Sequence, residues 1–313
     1  MGAPLVSVCM PASRSAEAIA AALGSVLAQT LTDLEVLIGD DGGAGEKVVE
    51  AAGDERLRYR RNLPPLGFTA NHEALLDSAR GPFVAFLHDD DRWDRGYLEA
   101  AVALLRACPK AGMAIVAYRE GEGGPAPHPP GGCHREALPL LLDERYRLLP
   151  SATVIRREAL ESVRRPWPRL SCGDMVLYLD AAAAGWGVAA VAEPLVSYNR
   201  HPGQISADDT CFRRDLVRLF ELCAFADPRA ERIRRRRLAR SRLSLARSDL
   251  RAGRLQEARE SMRRARQADR RLRVKIEALL LGFLAGHPAA LATATRAWYR
   301  VRGVPVTAAG DRR

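Results

Sequence analysis

Short apolar runs alternate with amphipathic stretches from Leu5 to Val191. Leu5–Met10 is apolar up to Pro11, and the following Ala16–Gln29 sets Ile19, Ala22, Leu23, Val26 and Leu27 on one helical face. Leu34–Ile38 is a second apolar run, Leu57–Tyr59 reads as a third strand, and Phe68–Ser78 as a helix behind Gly67. Phe83–Leu87 is apolar without alternation, which suits a strand buried on both faces, as parallel sheets require. Tyr97–Ala107 is then a helix and Met113–Ala117 a strand, while the Gly- and Pro-rich Glu120–Gly132 is a surface loop. Beyond it come a short strand at Thr153–Ile155, helices at Arg157–Val163 and Met175–Ala184, a strand at Val188–Val191 and a polar loop over Tyr198–Gly203. Strands alternating with helices of about ten to fifteen residues predict βαβ units, hence an α/β domain with a mostly parallel sheet flanked by helices.

From Phe212 onward the pattern is purely helical, with Leu216, Leu219, Phe220 and Cys223, and later Leu238 and Leu245, spaced among arginines. Leu250–Leu255 and on to Ala268 resembles one helix-turn-helix hairpin of the tetratricopeptide kind, too little for a repeat array. The run Arg232–Arg237 reads as a solvated helix face whose stems cover apolar surface. Charge marks the same division. The 313 residues carry a net +10, but residues 1–211 hold 21 Lys+Arg against 28 Asp+Glu, a net −7, and residues 212–313 hold 27 against 10, a net +17. Two regions are expected, a domain over 1–210 and a basic α-helical region over 211–313. The basic region fits an anionic membrane surface or an acidic partner, with homodimerisation as the structural alternative. Few aromatic residues accompany its arginines, which argues against nucleic acid.

Met1-Gly-Ala-Pro opens no signal peptide, and no uncharged apolar span of about 18 residues exists. The nearest, Ile276–Ala292, carries Glu277 and is broken by Gly286, His287 and Pro288. The six cysteines form no Cys-x-x-Cys pair, so neither a zinc site nor a disulfide framework is signalled. A reduced, cytoplasmic setting is expected, with the basic tail able to hold the chain on the inner membrane face.

Candidate chemistry gathers where apolar runs stop. Phe83–Leu87 is followed by His88 and then by Asp89, Asp90 and Asp91, and Leu34–Ile38 ends at Asp40 and Asp41. Three adjacent carboxylates repel one another unless a cation sits there, and Mg2+ or Mn2+ takes oxygen ligands from such groups. Ligands bind outside the carboxyl ends of strands in open α/β sheets.

Several segments resemble a family 2 glycosyltransferase of the GT-A (Rossmann-like) fold, in order, over about residues 4–206. They are Leu5-Val-Ser-Val to Pro11, Ser25-Val-Leu-Ala-Gln-Thr, Glu35-Val-Leu-Ile-Gly-Asp-Asp-Gly, Gly67-Phe68 with Asn71, Ala85-Phe-Leu-His-Asp-Asp-Asp-Arg-Trp, Gly173-Asp174, and Glu193-Pro-Leu-Val-Ser-Tyr-Asn-Arg-His through Ser206. The resemblance implies an inverting, metal-dependent transfer of sugar from a nucleoside-diphosphate donor to the hydroxyl of an acceptor glycan, lipid-linked sugar or small molecule. It implies nucleotide contacts at Pro11, Ser13, Asp40 (base), Asn71, Asp89 (ribose) and Arg200. It also implies a divalent metal at Asp90, Asp91 and His201, and a general base at Asp174 at the exposed start of its helix. Ala12-Ser13 departs from the family's Thr-Tyr or Thr-Phe, which leaves the base identity open. The rival expectations are a sugar-nucleotide nucleotidyltransferase, for which Ala12-Ser-Arg-Ser is a poor phosphate loop, and a binding module docked through the basic tail.

Overall fold

The computed structural model describes residues 2–121, 123–143, 146, 148–201, 204, 209–269 and 281–282. The apolar stretch Ile276–Ala292, apart from Leu281 and Gly282, lies outside the described residues, as do Pro202, Gly203 and Ser206 of the closing loop. The chain divides into two compact units, Met1–Ala207 with Asp227–Ala230, and Asp208–Ala226 with Glu231–Arg313.

The first unit is built on one sheet. β1 (Val6–Ala12) runs parallel between β2 (Leu34–Asp40) and β4 (Phe83–Phe86), and β3 (Leu57–Arg61) lies parallel outside β2. Every residue of β2 and β4 is buried, as expected when helices cover both faces. Val6, Val8, Met10 and Ala12 of β1 pack in one cluster with Ile19, Leu23 and Val26 of α1 (Ala16–Leu27). Ser15 caps that helix, its Oγ accepting from the Ala18 N–H at 3.4 Å. The chain passes from β1 to β2 on one side, while β4 lies on the other, so the carboxyl ends of β1 and β4 flank a topological switch point.

Past β4 the parallel pattern gives way to a mixed one. β8 (Thr153–Arg156) pairs antiparallel with β4 and with β6 (Ala111–Glu120). β9 (Gly187–Tyr198) is parallel to β6, and the short β5 (Arg92–Trp93) and β7 (Gly132–His134) pair antiparallel with β9. Among the described residues the sheet order is β3-β2-β1-β4-β8-β6-β9-β5, with β7 on β9. β8 is entered from a 3-10 turn at Pro150–Ala152 and not from a long crossover helix, and antiparallel neighbours need no such crossover. The loop expected over Glu120–Gly132 bridges back at Arg119–Pro125 and ends in β7.

Cysteine chemistry also corrects the expectation. Cys108 and Cys133 form a disulfide, their Cα atoms 5.9 Å apart, because the β7–β9 pairing (Cys133 opposite Ala189) and the β6–β9 pairing (Ala111 opposite Gly187) bring the two together. Their separation of 25 residues gives no short-range signal. Cys9, Cys172 and Cys223 are buried and Cys211 is exposed, all outside this bridge.

The Ser25-to-Thr30 motif fastens the segment behind the acidic triplet. Ser25 Oγ accepts from the Trp93 N–H at 3.2 Å, Gln29 Nε2 donates to the Asp94 carbonyl at 2.8 Å, and Gln29 Oε1 accepts from the Leu98 N–H at 3.0 Å. The Trp93 ring stacks on Tyr97 of α4 (Tyr97–Ala107) at 4.3 Å, and its Nε1 donates to the Ser151 carbonyl at 2.6 Å. These contacts anchor the chain just after the Asp89–Asp91 turn, and buried β4 holds it just before.

The second unit holds α8 (Asp209–Leu222), α9 (Pro228–Arg251) from Glu231 onward, and α10 (Leu255–Ala268). Ala239, Leu243, Ala246 and Leu250 of α9 meet Ala258, Met262 and Ala265 of α10 and Leu281 in one apolar cluster. The hairpin turns at Gly253, whose φ of 73° closes α9, with Arg254 N–H bonding back to the Asp249 carbonyl at 2.8 Å. The buried Asp249 carboxylate holds the turn through Arg254 Nε at 2.8 Å. Within the arginine run, Arg234 and Arg235 pair with Glu231 at 2.6 and 3.1 Å, and Arg237 lies over the Phe220 ring at 5.8 Å. The face is thus partly neutralised and partly packed.

Candidate active site

At the switch point a cleft of about 340 Å³ is lined by Arg14, Ser15, Asp89, Asp90, Asp91, Asn199 and His201, among others. Asp89 is buried, and its Oδ2 accepts from the backbone N–H groups of Ser13 and Arg14 at 2.6 and 2.7 Å, tying the β1–α1 loop to the end of β4. Burial raises its pKa, although the two amides pull it back. Asp90 is more open, with a side chain 14% exposed. Its Oδ2 lies 2.9 Å from His201 Nε2 and 3.7 Å from the Arg14 guanidinium. Asp91 is buried, accepts from the Asn199 N–H at 3.1 Å, and is pushed up to about 7 by burial first and by the Asp90 charge second.

One ligand atom each from His88, Asp90 and Asp91 lies within 4.8 Å of the others, a donor set of two carboxylates and an imidazole. That set fits a divalent cation of the Mg2+ or Mn2+ class. Asp90 and Asp91 therefore sit together as expected, and His201 reaches the group through Asp90. His88 is the added member; its place immediately before the triplet was the available signal.

Behind His88 lies a second histidine. His72, on α3 (Phe68–Ser78), is fully buried, and its Nε2 stands 3.1 Å from His88 Nε2 while its Nδ1 stands 2.7 Å from the Phe68 carbonyl. Burial and the neighbouring His88 hold the His72 pKa down to about 3, so the ring is neutral.

Three residues expected at the nucleotide are engaged with other protein groups in this structure. Asp40 is 0% exposed, and both its oxygens are taken: Oδ1 by the N–H groups of Gly42 and Gly43 (2.8 and 2.7 Å), Oδ2 by Gly45 N–H and the Tyr59 hydroxyl (2.7 and 2.9 Å). It shapes the loop after β2 and has no acceptor left for a base. The half-buried Asp41 beside it accepts from Asn62 Nδ2 and Leu66 N–H through Oδ1, and from Gly67 N–H through Oδ2. Asn71 is buried beneath β2, donating to the Gly39 carbonyl at 2.7 Å and accepting from Asn62 at 3.1 Å. A Cβ on Gly39 would stand 2.2 Å from Asn71 Oδ1, so glycine there and asparagine on α3 form one structural joint. Arg200 is 58% exposed and pairs with Glu120 at 3.2 Å, outside the cleft lining. Arg14, which had figured only in the case against a phosphate loop, is the guanidinium beside Asp90. Pro11 is half-buried at the end of β1, and Ser13 is exposed and meets Asp89 through its backbone.

Asp174 precedes α7 (Met175–Ala183), and here the expected exposed start is corrected: Asp174 is 6% exposed. The turn before it folds tightly onto α3, where a Cβ at Gly173 would meet the Pro168 carbonyl at 2.3 Å and Thr69 Cγ2 at 2.7 Å. Its side chain makes no capping bond to the helix. Burial pushes its pKa up to about 7, only partly offset by the amides of Asp174 and Met175. Asp180, the next carboxylate on α7, is consumed by Arg164 through bonds of 2.6, 2.7 and 3.0 Å.

A helix-flanked sheet with carboxylates gathered at its switch point defines a GT-A nucleotide-sugar fold. The chain belongs to glycosyl transferase family 2, whose family model matches residues 7–164. It is 34% identical over 104 residues to the Escherichia coli UDP-Glc:alpha-D-GlcNAc-diphosphoundecaprenol beta-1,3-glucosyltransferase WfgD, a match covering 32% of this chain and 41% of that protein. The matched stretch spans 37% and 41% of the length of the first curated relatives. Among solved structures, S. aureus TarS 1-349 in complex with UDP-GlcNAc superposes with a TM-score of 0.66 at 16% identity, over 96% of this chain and 93% of that one. The mannosyltransferase PcManGT from Pyrobaculum calidifontis, in complex with GDP-Man and Mn2+, superposes with a TM-score of 0.57 at 20% identity, over 97% and 85%. These two likenesses show the fold.

Proposed function

We propose that the chain transfers a sugar from a nucleoside-diphosphate donor to an acceptor hydroxyl, with inversion at the anomeric carbon and dependence on a divalent cation. The observation that carries this is the convergence of His88, Asp90 and Asp91 beside Arg14 and His201 in one cleft. A cation bound by that group would supply Lewis-acid stabilisation to the departing diphosphate. Arg14 adds fixed positive charge for the phosphates, Asp89 faces the ribose, and Pro11 with Asp41 borders the base. Asp174, with a pKa raised to about 7, takes the acceptor proton as the acceptor oxygen bonds to the anomeric carbon and the bond from that carbon to the diphosphate breaks. Family membership removes the ground for the nucleotidyltransferase alternative. A thermal-shift panel of nucleoside diphosphates with Mn2+ or EDTA tests the proposal. One diphosphate near a hundredfold over its Kd should raise the Tm by about 5 °C or more with Mn2+, and no shift with any of them would refute it.

For the acceptor we infer a lipid-linked sugar, the class printed in the name of the E. coli relative. The basic helical region supports it, since such an acceptor is met at an anionic surface. No helix among the described residues is long and apolar enough to cross a membrane. Basic side chains near an anionic surface contribute about 1 kcal/mol each, less as salt rises. The full chain should float with vesicles containing anionic phosphatidylglycerol, not with neutral ones, and should be released by salt. Indifference to acidic vesicles at low salt would leave the arginines a purely structural role.

A further inference from the structure

We infer that His88 supplies its Nδ1 as a nitrogen ligand to the cation site, and that His72 is the positioning residue that aims it. The inference rests on the cation-dependent reading above and follows from counting hydrogens. A carbonyl only accepts, so His72 Nδ1, 2.7 Å from the Phe68 carbonyl, carries the ring hydrogen. The ring is fully buried and packed against Phe68 at 4.4 Å, Phe86 at 5.3 Å and Trp167 at 6.5 Å, which fixes its plane. Its Nε2 is therefore a bare acceptor, and the 3.1 Å contact requires the hydrogen to sit on His88 Nε2. The lone pair of His88 is left on Nδ1, the ring nitrogen turned away from His72. The His88 backbone is also fixed, its N–H donating to Ser151 Oγ at 3.1 Å. Metal-bound histidines characteristically donate their other ring N–H to an acceptor that fixes tautomer and orientation. Here that acceptor is an imidazole on α3, sixteen residues earlier in the chain.

An imidazole among carboxylates favours first-row transition cations over Mg2+, which prefers oxygen alone. The site should thus take Mn2+ or Co2+ in preference to Mg2+. Mn2+ bound to the full chain should show electron spin-echo modulation from a directly bound nitrogen. That signal should persist in His201→Gln and vanish in His88→Asp, which still binds Mn2+ but yields it to lower Mg2+ concentrations. His72→Phe, which keeps the ring packing but loses the acceptor, should weaken Mn2+ about tenfold, and His72→Gln, whose amide oxygen can accept, should recover part of the loss. A merely structural His72 would change the Tm without changing the Mn2+ affinity. Mn2+ bound without nitrogen coupling, or coupling retained in His88→Asp, overturns this inference and leaves the cation-dependent reading standing. Failure of Mn2+ to bind the native chain, with or without nucleoside diphosphate, overturns both.

Discussion

Asp90→Asn should abolish cation-dependent binding of the nucleoside diphosphate and lower turnover by about 10² to 10³-fold, equivalent to roughly 3–4 kcal/mol at the transition state. Asp90 is the triplet member best placed to meet a ligand. Asp89 spends Oδ2 on two loop amides and Asp91 is buried against Asn199, whereas Asp90 faces the cleft beside Arg14 and His201. Asn preserves volume and removes the charge. Repulsion from Asp89 and Asp91 falls at the same time, so the melting temperature should hold or rise. Calorimetry with and without EDTA reads the effect. Wild-type nucleotide affinity in the variant, or affinity in the native chain that ignores EDTA, would refute the assignment.

The central parallel strands were legible because burial on both faces leaves largely apolar runs, as in β1, β2 and β4, whereas β3 is an edge strand with exposed arginines. Elements made by pairing alone were not. β5 has two residues and β7 three, and each exists because β9 lies beside it. β8 was expected as a short strand, but its antiparallel direction was not, since the four residues Thr-Val-Ile-Arg carry no mark of direction. In the site, residue type was readable and orientation was not. Asp40 and Asp41 are chemically identical in sequence, yet the loop after β2 folds around one and leaves the other half open. Arg14 and Arg200 are both arginines in polar loops, and only the fold sends one to Asp90 and the other to Glu120. The 27 Lys+Arg of the helical region likewise overstate its unpaired cations, because Glu231, Glu260 and Asp249, already subtracted in the net +17, each hold arginines. Counting charge along a chain cannot show which charges are already paired within it.

Asp174→Asn should cut turnover by about 10² to 10⁴-fold while nucleotide affinity stays close to wild type. The two effects separate because Asp174 lies outside the lining of the acidic cleft and its part is to take the acceptor proton. A base with a pKa near the working pH is the efficient kind, and burial sets this one at about 7. In the native enzyme kcat/KM should therefore climb as pH rises through about 7, when the carboxyl gives up its proton, and this limb should be missing in the variant. Stability carries the opposite sign. A carboxyl whose folded pKa is raised from 3.8 to about 7 contributes most to the fold below its unfolded value, and that contribution is lost as pH climbs to about 7. Asn stays neutral throughout, so the variant should melt at or above the native temperature at pH 8, with the difference closing toward pH 4. A slower enzyme that is no less stable would mark a charge kept in the interior for chemistry. A variant that transfers sugar at the native rate would put the base elsewhere, and with Asp180 consumed by Arg164, the exposed Glu193 would be the next carboxylate to test.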